Sequence, residues 1–166
     1  MLTPSPLFAL LLALQSMSSQ VTPSPKLPPA NPLPIGGAEE EAVLAPVNAL
    51  LGAIRSGSAE AANAVLRADG SATAAVERPD GSRSVRRMTW TQFTAGLKPG
   101  SGAYETISDP AVEIDGDIAM VWAPFTFRLN GQVQHCGVNH FDLVREGGAW
   151  KVLNVTWSQR TTGCAG

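Results

Sequence analysis

Four side chains in the last third of the chain have the chemistry of a small-molecule site. Trp122 and Trp157 can stack on a flat heterocycle, and Asn139 can orient a polar group of the same ligand. His135 titrates near neutral pH, so it can act as a general base or as a hydrogen-bonding group. Each also has a structural alternative, because large aromatic side chains usually fill cores and buried polar groups usually find partners within the protein.

Spacing and composition disfavour several other chemistries. His135 and His140 are five residues apart, so in a strand they point to opposite faces and cannot share one metal ion. The sequence has no phosphate-binding loop, nucleophile elbow or dinucleotide fingerprint, and we therefore expect neither a metal nor a cofactor. The net charge of -2, from 12 Lys+Arg and 14 Asp+Glu, argues against nucleic-acid binding.

The N-terminal residues have the pattern of an export signal followed by a linker. Residues 7–14 form an apolar run, and Ser16-Met17-Ser18 offers small side chains for cleavage, although no Lys or Arg precedes the run. A buried helix or a misassigned start is the alternative. Residues 20–37 contain six prolines, which exclude a helix or a central strand.

We therefore expect a signal peptide over 1–19, a disordered linker over 20–37 and one folded domain over 38–166. The mature protein would be periplasmic or secreted and would have no membrane span, because no apolar run reaches the roughly 18–20 residues that a span requires.

Two cysteines, Cys136 and Cys164, are the only ones in the chain. In an exported protein such a pair usually forms a disulfide. The closed loop of about 29 residues would stabilise the fold by roughly 3–4 kcal/mol on the chain-entropy model. Two free thiols are the alternative if the protein is not exported.

Helical spacing characterises the first part of the predicted domain. One helix face is predicted to carry the apolar residues Val43, Val47, Leu50, Leu51 and Ile54. A shorter helix is predicted over about 60–67, and a small hairpin follows around Pro79-Asp80-Gly81. Thr89 and Gln92 form a capping box that begins a third helix.

After residue 102 the pattern changes to that of β-strands. Four strands are predicted, over 104–115, 117–128, 132–145 and 150–160. Tight-turn sequences separate them: Asp115-Gly116, Asn130-Gly131 and Gly147-Gly148. N-terminal helices packed on a curved antiparallel meander sheet define an α+β fold.

The turns also predict the strand registers. A two-residue Asn130-Gly131 turn places Met120 opposite Phe141 and Trp122 opposite Asn139. A three-residue loop over 147–149 places Leu143 opposite Leu153, Phe141 opposite Val155 and Asn139 opposite Trp157. One face of the sheet would then carry Ile118, Met120, Trp122, Asn139, Phe141, Leu143, Leu153, Val155 and Trp157.

This face predicts a pocket. Its aliphatic end would pack beneath the helices, and its polar and aromatic end would form the mouth of a ligand cavity. The predicted pocket residues are Trp122, Thr126, His135, Asn139 and Trp157. The opposite face would carry Val121, Phe125, Phe127, Val138 and Val144 beside His140 and Asp142. Because that face is too apolar for free solvent, we expect a homodimer contact or coverage by the N-terminal elements there.

Several segments resemble the nuclear-transport-factor-2-like superfamily and, more narrowly, its bacterial branch labelled lumazine-binding. They are residues 119–127, His135-Cys136-Gly137-Val138, Phe141-Asp142-Leu143-Val144, Trp150-Lys151-Val152 and Thr162-Gly163-Cys164. The resemblance covers roughly residues 38–166. It implies a cone-shaped α+β barrel, in which a curved antiparallel sheet wraps a long helix and dimers often form through the sheet.

Better understood relatives are ketosteroid isomerase, scytalone dehydratase and the polyketide cyclases, which hold a carboxylate or histidine base inside the cone. The predicted inner face of this chain carries no Asp or Glu, and Asp142 is predicted on the outer face. Only His135 is placed to act as a base, so it is the one candidate catalytic residue.

Three functions remain open. The first is an exported protein that binds a small aromatic or heterocyclic molecule. The second is a cofactor-free isomerase, dehydratase or cyclase that uses His135. The third is a structural module in which side chains fill the cone and the sheet mediates dimerisation.

Overall fold

Three helices and seven strands form the described part of the chain, residues 37–164 of a computed structural model. The helices are α1 (Ala38–Ser56), α2 (Ala59–Val65) and α3 (Trp90–Ala95). The strands are β1 (Leu66–Glu77), β2 (Arg83–Thr89), β3 (Ala103–Ile107), β4 (Ala111–Asp115), β5 (Ile118–Leu129), β6 (Gln132–Glu146) and β7 (Ala149–Gln159). The predicted signal peptide and all of the predicted linker except Gly37 lie outside the described residues.

The long helix α1 forms as its sequence predicts. Three glutamates occupy the first turn, where the positive end of the helix dipole favours them. The helix ends at Gly57, which has a φ of 69° and donates its backbone N–H to carbonyls of the last turn. Val43, Val47 and Leu50 are buried along one face, which therefore packs on the sheet.

The strand order of the sheet is β2-β1-β7-β6-β5-β3. β3 and β4 lie on the same edge of β5, where β3 pairs with residues 125–129 and β4 with residues 118–122. Helices packed on a curved sheet confirm the predicted α+β class and the cone-like arrangement. The sheet is mixed, however, because β1 pairs in parallel with β7 while every other neighbouring pair is antiparallel. A strand of this length at β1 was not expected, since its Ala-, Gly- and Ser-rich sequence has weak strand propensity.

The predicted register of β5 against β6 is wrong beyond the turn. Leu129 pairs with Gln132 as predicted, but the register shifts between Arg128 and Phe127, and Phe127 pairs with His135. Gln134 is the extra residue of this β-bulge. A shift of one residue turns every later side chain of β5 to the other face.

The two faces of β5 are consequently exchanged. Met120 pairs with Asp142 and Trp122 with His140, and the side chains of Ile118 and Trp122 are 60% and 50% exposed. Val121 and Phe125, which were predicted on the outer face, are buried instead. Both alternating sets of β5 residues are apolar, so the hydrophobic pattern could not reveal the error.

The register of β6 against β7 is largely as predicted. Asn139 pairs with Trp157 and Phe141 with Val155, as the sequence predicts. The connecting turn is one residue shorter than expected, since Glu146 pairs with Ala149. Because the turn is shorter, Leu143 pairs with Val152 and not with Leu153. A second bulge, with Leu153 as the extra residue, then restores the predicted register from Asp142 onwards.

The predicted disulfide joins Cys136 of β6 to Cys164, and the two Cα atoms are 5.6 Å apart. The backbone of Cys136 also pairs with that of Arg160. The C-terminal segment is thus fixed to the sheet at two points. Between residues 37 and 164, no helix is long and apolar enough to cross a bilayer.

Candidate functional site

An open cavity of about 420 Å³ is bounded by α1, α3, the segment after α3 and the concave face of the sheet. Its apolar lining consists mainly of Ile54, Met88, Phe93, Leu97, Phe127 and Trp157. Polar groups from several elements border the same space. A largely apolar cavity with a few converging polar groups is the usual form of a small-molecule site.

Glu105 of β3 is the one carboxylate among the described residues that line this cavity. The side chains of β3 alternate, and Ala103, Glu105 and Ile107 face the interior. The Oε1 atom of Glu105 accepts a hydrogen bond of 2.7 Å from Nδ2 of Asn139, which is 3% exposed. The partner of the carboxylate is therefore itself held inside the protein.

A smaller void of about 50 Å³ adjoins Glu105 on the Asn139 side. Glu105, Trp157, Ile54 and Phe93 line both this void and the larger cavity. The carboxyl group thus stands at the inner end of the cavity, where apolar side chains surround it.

Burial raises the pKa of Glu105 from an ordinary value of 4.5 to about 7, because the surrounding chain removes water that would stabilise the charged form. The hydrogen bond from Asn139 opposes this shift, since it favours the carboxylate. At neutral pH both forms of Glu105 are populated. The group can therefore donate a proton as an acid or accept one as a carboxylate.

Glu105, Phe127 and His135 occupy adjacent positions on three neighbouring strands. Phe127 pairs with Glu105 on one side and with His135 on the other. The rings of Phe127 and His135 are stacked, with centroids 4.7 Å apart and an interplanar angle of 16°. Burial lowers the pKa of His135 below its ordinary value, which favours the neutral imidazole with one donor and one acceptor.

Trp157 lines both the larger cavity and the smaller void. Its indole Nε1 donates to Oε1 of Gln159 over 3.3 Å, and Gln159 also lines the cavity. The polar edge of the indole is therefore satisfied while its ring remains available as an apolar wall.

The structure places three of the five predicted pocket residues, His135, Asn139 and Trp157, along this cavity and its inner void. It places Trp122 and Thr126 on the opposite face of the sheet. Trp122 lies against His140 with ring centroids 6.0 Å apart, and Thr126 pairs with Cys136. The bulge at Gln134 is the physical cause, because the one-residue shift in register turns the side chains of β5 to the opposite face of the sheet.

Glu105 was missed by sequence reasoning, and the prediction that the inner face carries no Asp or Glu is wrong. The sequence predicts one strand over 104–115, whereas the structure has two strands there, β3 and β4. The signal was the alternation of Ala103, Glu105 and Ile107, which gives an acid the same orientation as two apolar neighbours. Among the described residues, no group of three or more His, Cys, Asp or Glu side chains is arranged to hold a metal ion.

Comparison with known proteins identifies the fold. No protein-family model and no curated protein matches the sequence. Solved structures do match. A nuclear transport factor 2-like (NTF2-like) protein from Cytophaga hutchinsonii has a TM-score of 0.57 at 16% identity, covering 74% of this chain and 98% of its own.

Two further structures agree. An NTF2-like superfamily protein from Salmonella enterica has a TM-score of 0.54 at 18% identity, covering 77% of this chain and 94% of its own. A protein of unknown function with a cystatin-like fold, from Nostoc punctiforme, has a TM-score of 0.59 at 10% identity and covers 76% and 95% of the two chains. The chain therefore has the NTF2-like fold, as the sequence resemblance predicted. The narrower resemblance to the lumazine-binding branch stays a prediction.

Proposed function

We propose that this protein binds a small, largely apolar molecule in the cavity, with Glu105 as the protonatable group that contacts it. The observation that carries the proposal is a carboxyl group at the inner end of an open, mainly apolar space of about 420 Å³. Such a group would be unfavourable in a core, so its position is better explained by a ligand. The open cavity also speaks against the alternative of a cone filled by side chains.

Binding is tested with N-phenyl-1-naphthylamine, a neutral aromatic probe that fluoresces in apolar surroundings. The test variant is Ala103→Trp, which adds a large side chain to the cavity lining. The matched control is Ala111→Trp, at an exposed position on β4. We expect saturable binding to the wild type and to the control, and loss of binding in Ala103→Trp. Equal binding by both variants, or no binding by the wild type, would contradict the proposal.

A proton-transfer enzyme without a cofactor is the second candidate, and Glu105 replaces His135 as its best base. The specific observation is a carboxyl with a pKa of about 7 that borders a cavity large enough for a substrate. The test uses 2-tetralone, whose acidic C–H bonds exchange with D₂O when a base removes the proton. This candidate would be supported if wild type and His135→Gln exchange 2-tetralone faster than buffer alone and Glu105→Gln does not. Equal exchange with wild type and Glu105→Gln would eliminate it.

We also propose that the protein is exported to the periplasm or secreted. The predicted signal peptide over 1–19 and the Cys136–Cys164 disulfide support this, because disulfides persist in oxidising compartments. Intact mass spectrometry of the protein expressed with its full N-terminus tests export. A mature chain shorter by about the predicted signal peptide is expected, and a full-length chain in the cytoplasm would contradict it.

A homodimer through the outer face of the sheet is the quaternary structure that we propose. Ile118, Met120 and Trp122 follow one another along the outer face of β5 and are 60%, 36% and 50% exposed. A row of large exposed apolar side chains is typical of an interface. Sedimentation velocity should show a dimer for the wild type and a monomer for Trp122→Glu, whereas a monomeric wild type would refute the dimer.

A further inference from the structure

Two positive side chains border the cavity, and both lack partners in the described part of the chain. Arg86 comes from β2, and Lys98 from the segment after α3. Within residues 37–164 neither makes an ion pair or a hydrogen bond to another side chain. By contrast, Arg67, Arg83 and Arg145 are each paired with a carboxylate.

The acidic group of the cavity does not neutralise these cations directly. Glu105 accepts its hydrogen bond from Asn139 at the inner end, while Arg86 and Lys98 are exposed side chains at the opening. Among the described lining residues there is no second carboxylate. The cavity is thus positive at its mouth, apolar along its walls and protonatable at its base.

Resting on the proposed function, we propose that the ligand is an amphipathic anion, a flat apolar body with one carboxylate or similar acidic group. The apolar body would lie against Phe93, Phe127 and Trp157, and the acidic group would remain at the opening between Arg86 and Lys98. A charged group at that position keeps part of its hydration and gains attraction to two cations. The inner end of the ligand would meet Glu105.

A cationic ligand is the opposing possibility, because an ionised Glu105 would attract it. Such a ligand would have to pass two unpaired positive side chains at the opening, which repel it. It would also have to lose its hydration to reach the inner end of an apolar cavity. Anionic ligands meet neither obstacle, and positive charge at the mouth of a cleft raises their local concentration.

The test compares two probes that differ by one charged group. They are 8-anilinonaphthalene-1-sulfonate and N-phenyl-1-naphthylamine, which is the same molecule without the sulfonate. The test variant is Arg86→Gln/Lys98→Gln. The control is Arg83→Gln/Arg160→Gln, which removes the same charge from an adjoining surface groove of about 560 Å³ that shares Gln159, but neither arginine, with the cavity lining.

We expect the test variant to bind the sulfonate probe roughly tenfold more weakly than the wild type does, as two partly screened contacts predict. Binding of the neutral probe should not change, and the control variant should bind both probes like the wild type. Added salt should weaken binding of the sulfonate probe alone.

The outcomes separate this inference from the proposed function. Undiminished sulfonate binding by Arg86→Gln/Lys98→Gln, with the neutral probe still bound, would overturn the inference and leave the cavity as a ligand site. An equal loss in the control variant would assign the anion to the other groove and would also overturn it. Failure of the wild type to bind either probe would refute both proposals.

Discussion

Nδ2 of Asn139 donates a hydrogen bond of 2.7 Å to Oε1 of Glu105, across a separation of 34 residues. The two residues belong to β3 and β6, which are not neighbours because β5 lies between them. The hydrogen bond therefore forms only in the folded sheet. The protonation state of Glu105 is therefore linked to the stability of the fold, which is the basis of the first two predictions.

The first prediction concerns the stability of Glu105→Gln at different pH values. Because folding raises the pKa of Glu105 from 4.5 to about 7, the folded state holds a proton that the unfolded state releases. The contribution of Glu105 to the free energy of unfolding is fully present below pH 4.5 and is lost as the pH rises through about 7. As the pH rises over this range, the free energy of unfolding of the wild type should fall by on the order of 2–3 kcal/mol relative to that of Glu105→Gln.

Urea denaturation of both proteins between pH 4.5 and pH 8 measures this difference. Since Gln keeps an oxygen that can accept from Asn139, the variant preserves the hydrogen bond and removes only the titration. A constant difference between the two proteins across the range would show that Glu105 has an ordinary pKa.

The second prediction concerns Asn139→Ala. Loss of its hydrogen bond removes the one factor that lowers the pKa of Glu105, so this pKa should rise above its wild-type value of about 7. The substitution should lower the free energy of unfolding at both pH values. The loss should be about 1–3 kcal/mol larger at pH 8, where Glu105 of the wild type is largely ionised, than at pH 5, where it is protonated. The same denaturation measurement checks this.

Asn154→Ala serves as the control for that experiment. Asn154 bonds to Ser71 and Asp142 and does not line the cavity. Its removal should destabilise the protein without the dependence on Glu105 ionisation. An equal loss at both pH values for Asn139→Ala would mean that the hydrogen bond does not respond to the charge of Glu105.

The third prediction distinguishes Trp122 from Trp157, which the sequence predicts on the same face of the sheet. Trp157→Ala should weaken binding of N-phenyl-1-naphthylamine by about tenfold or more, because it removes a wall of the cavity. Trp122→Ala should leave the affinity unchanged, since Trp122 lies on the other face beside His140. Fluorescence titration, with circular dichroism to verify folding, measures both. Weaker binding by Trp122→Ala alone would contradict the observed register of β5 and support the register predicted from the sequence.

The fourth prediction concerns the disulfide. Cys136→Ser/Cys164→Ser should lower the free energy of unfolding by roughly 3–4 kcal/mol, because the unfolded chain is no longer cross-linked. Reductant should destabilise the wild type to a similar extent and should not affect the variant. Thermal unfolding with and without reductant measures both effects, and a wild type insensitive to reductant under unfolding conditions would contradict the bridge.

Local patterns in the sequence predicted most of the elements. The burial of Val43, Val47 and Leu50 followed from helical spacing, and the Thr89–Gln92 capping box forms as predicted. These features depend on interactions within a few residues, which a sequence displays directly. The turns at Asn130-Gly131 and Gly147-Gly148 were also located correctly.

The site could be predicted only in part, because it depends on which face each strand presents. In β6 and β7 the pairs Asn139–Trp157 and Phe141–Val155 were found, and with them half of the cavity. Both faces of β5 are apolar, and the bulge at Gln134 of β6 turns Trp122 away from the cavity and Phe127 towards it. Glu105 was missed because the sequence predicts one strand over 104–115 and provides no register between β3 and β5.

The central claim is that a protonatable carboxyl stands at the inner end of a ligand cavity. Its most direct test is a pH titration of the Glu105 side-chain carboxyl by ¹³C NMR, with Glu105→Gln used to assign the signal. We predict a pKa of about 7 for Glu105, well above the ordinary range of exposed glutamates. Titration of Glu105 within that ordinary range would contradict the claim, because it would show that water reaches the carboxyl freely.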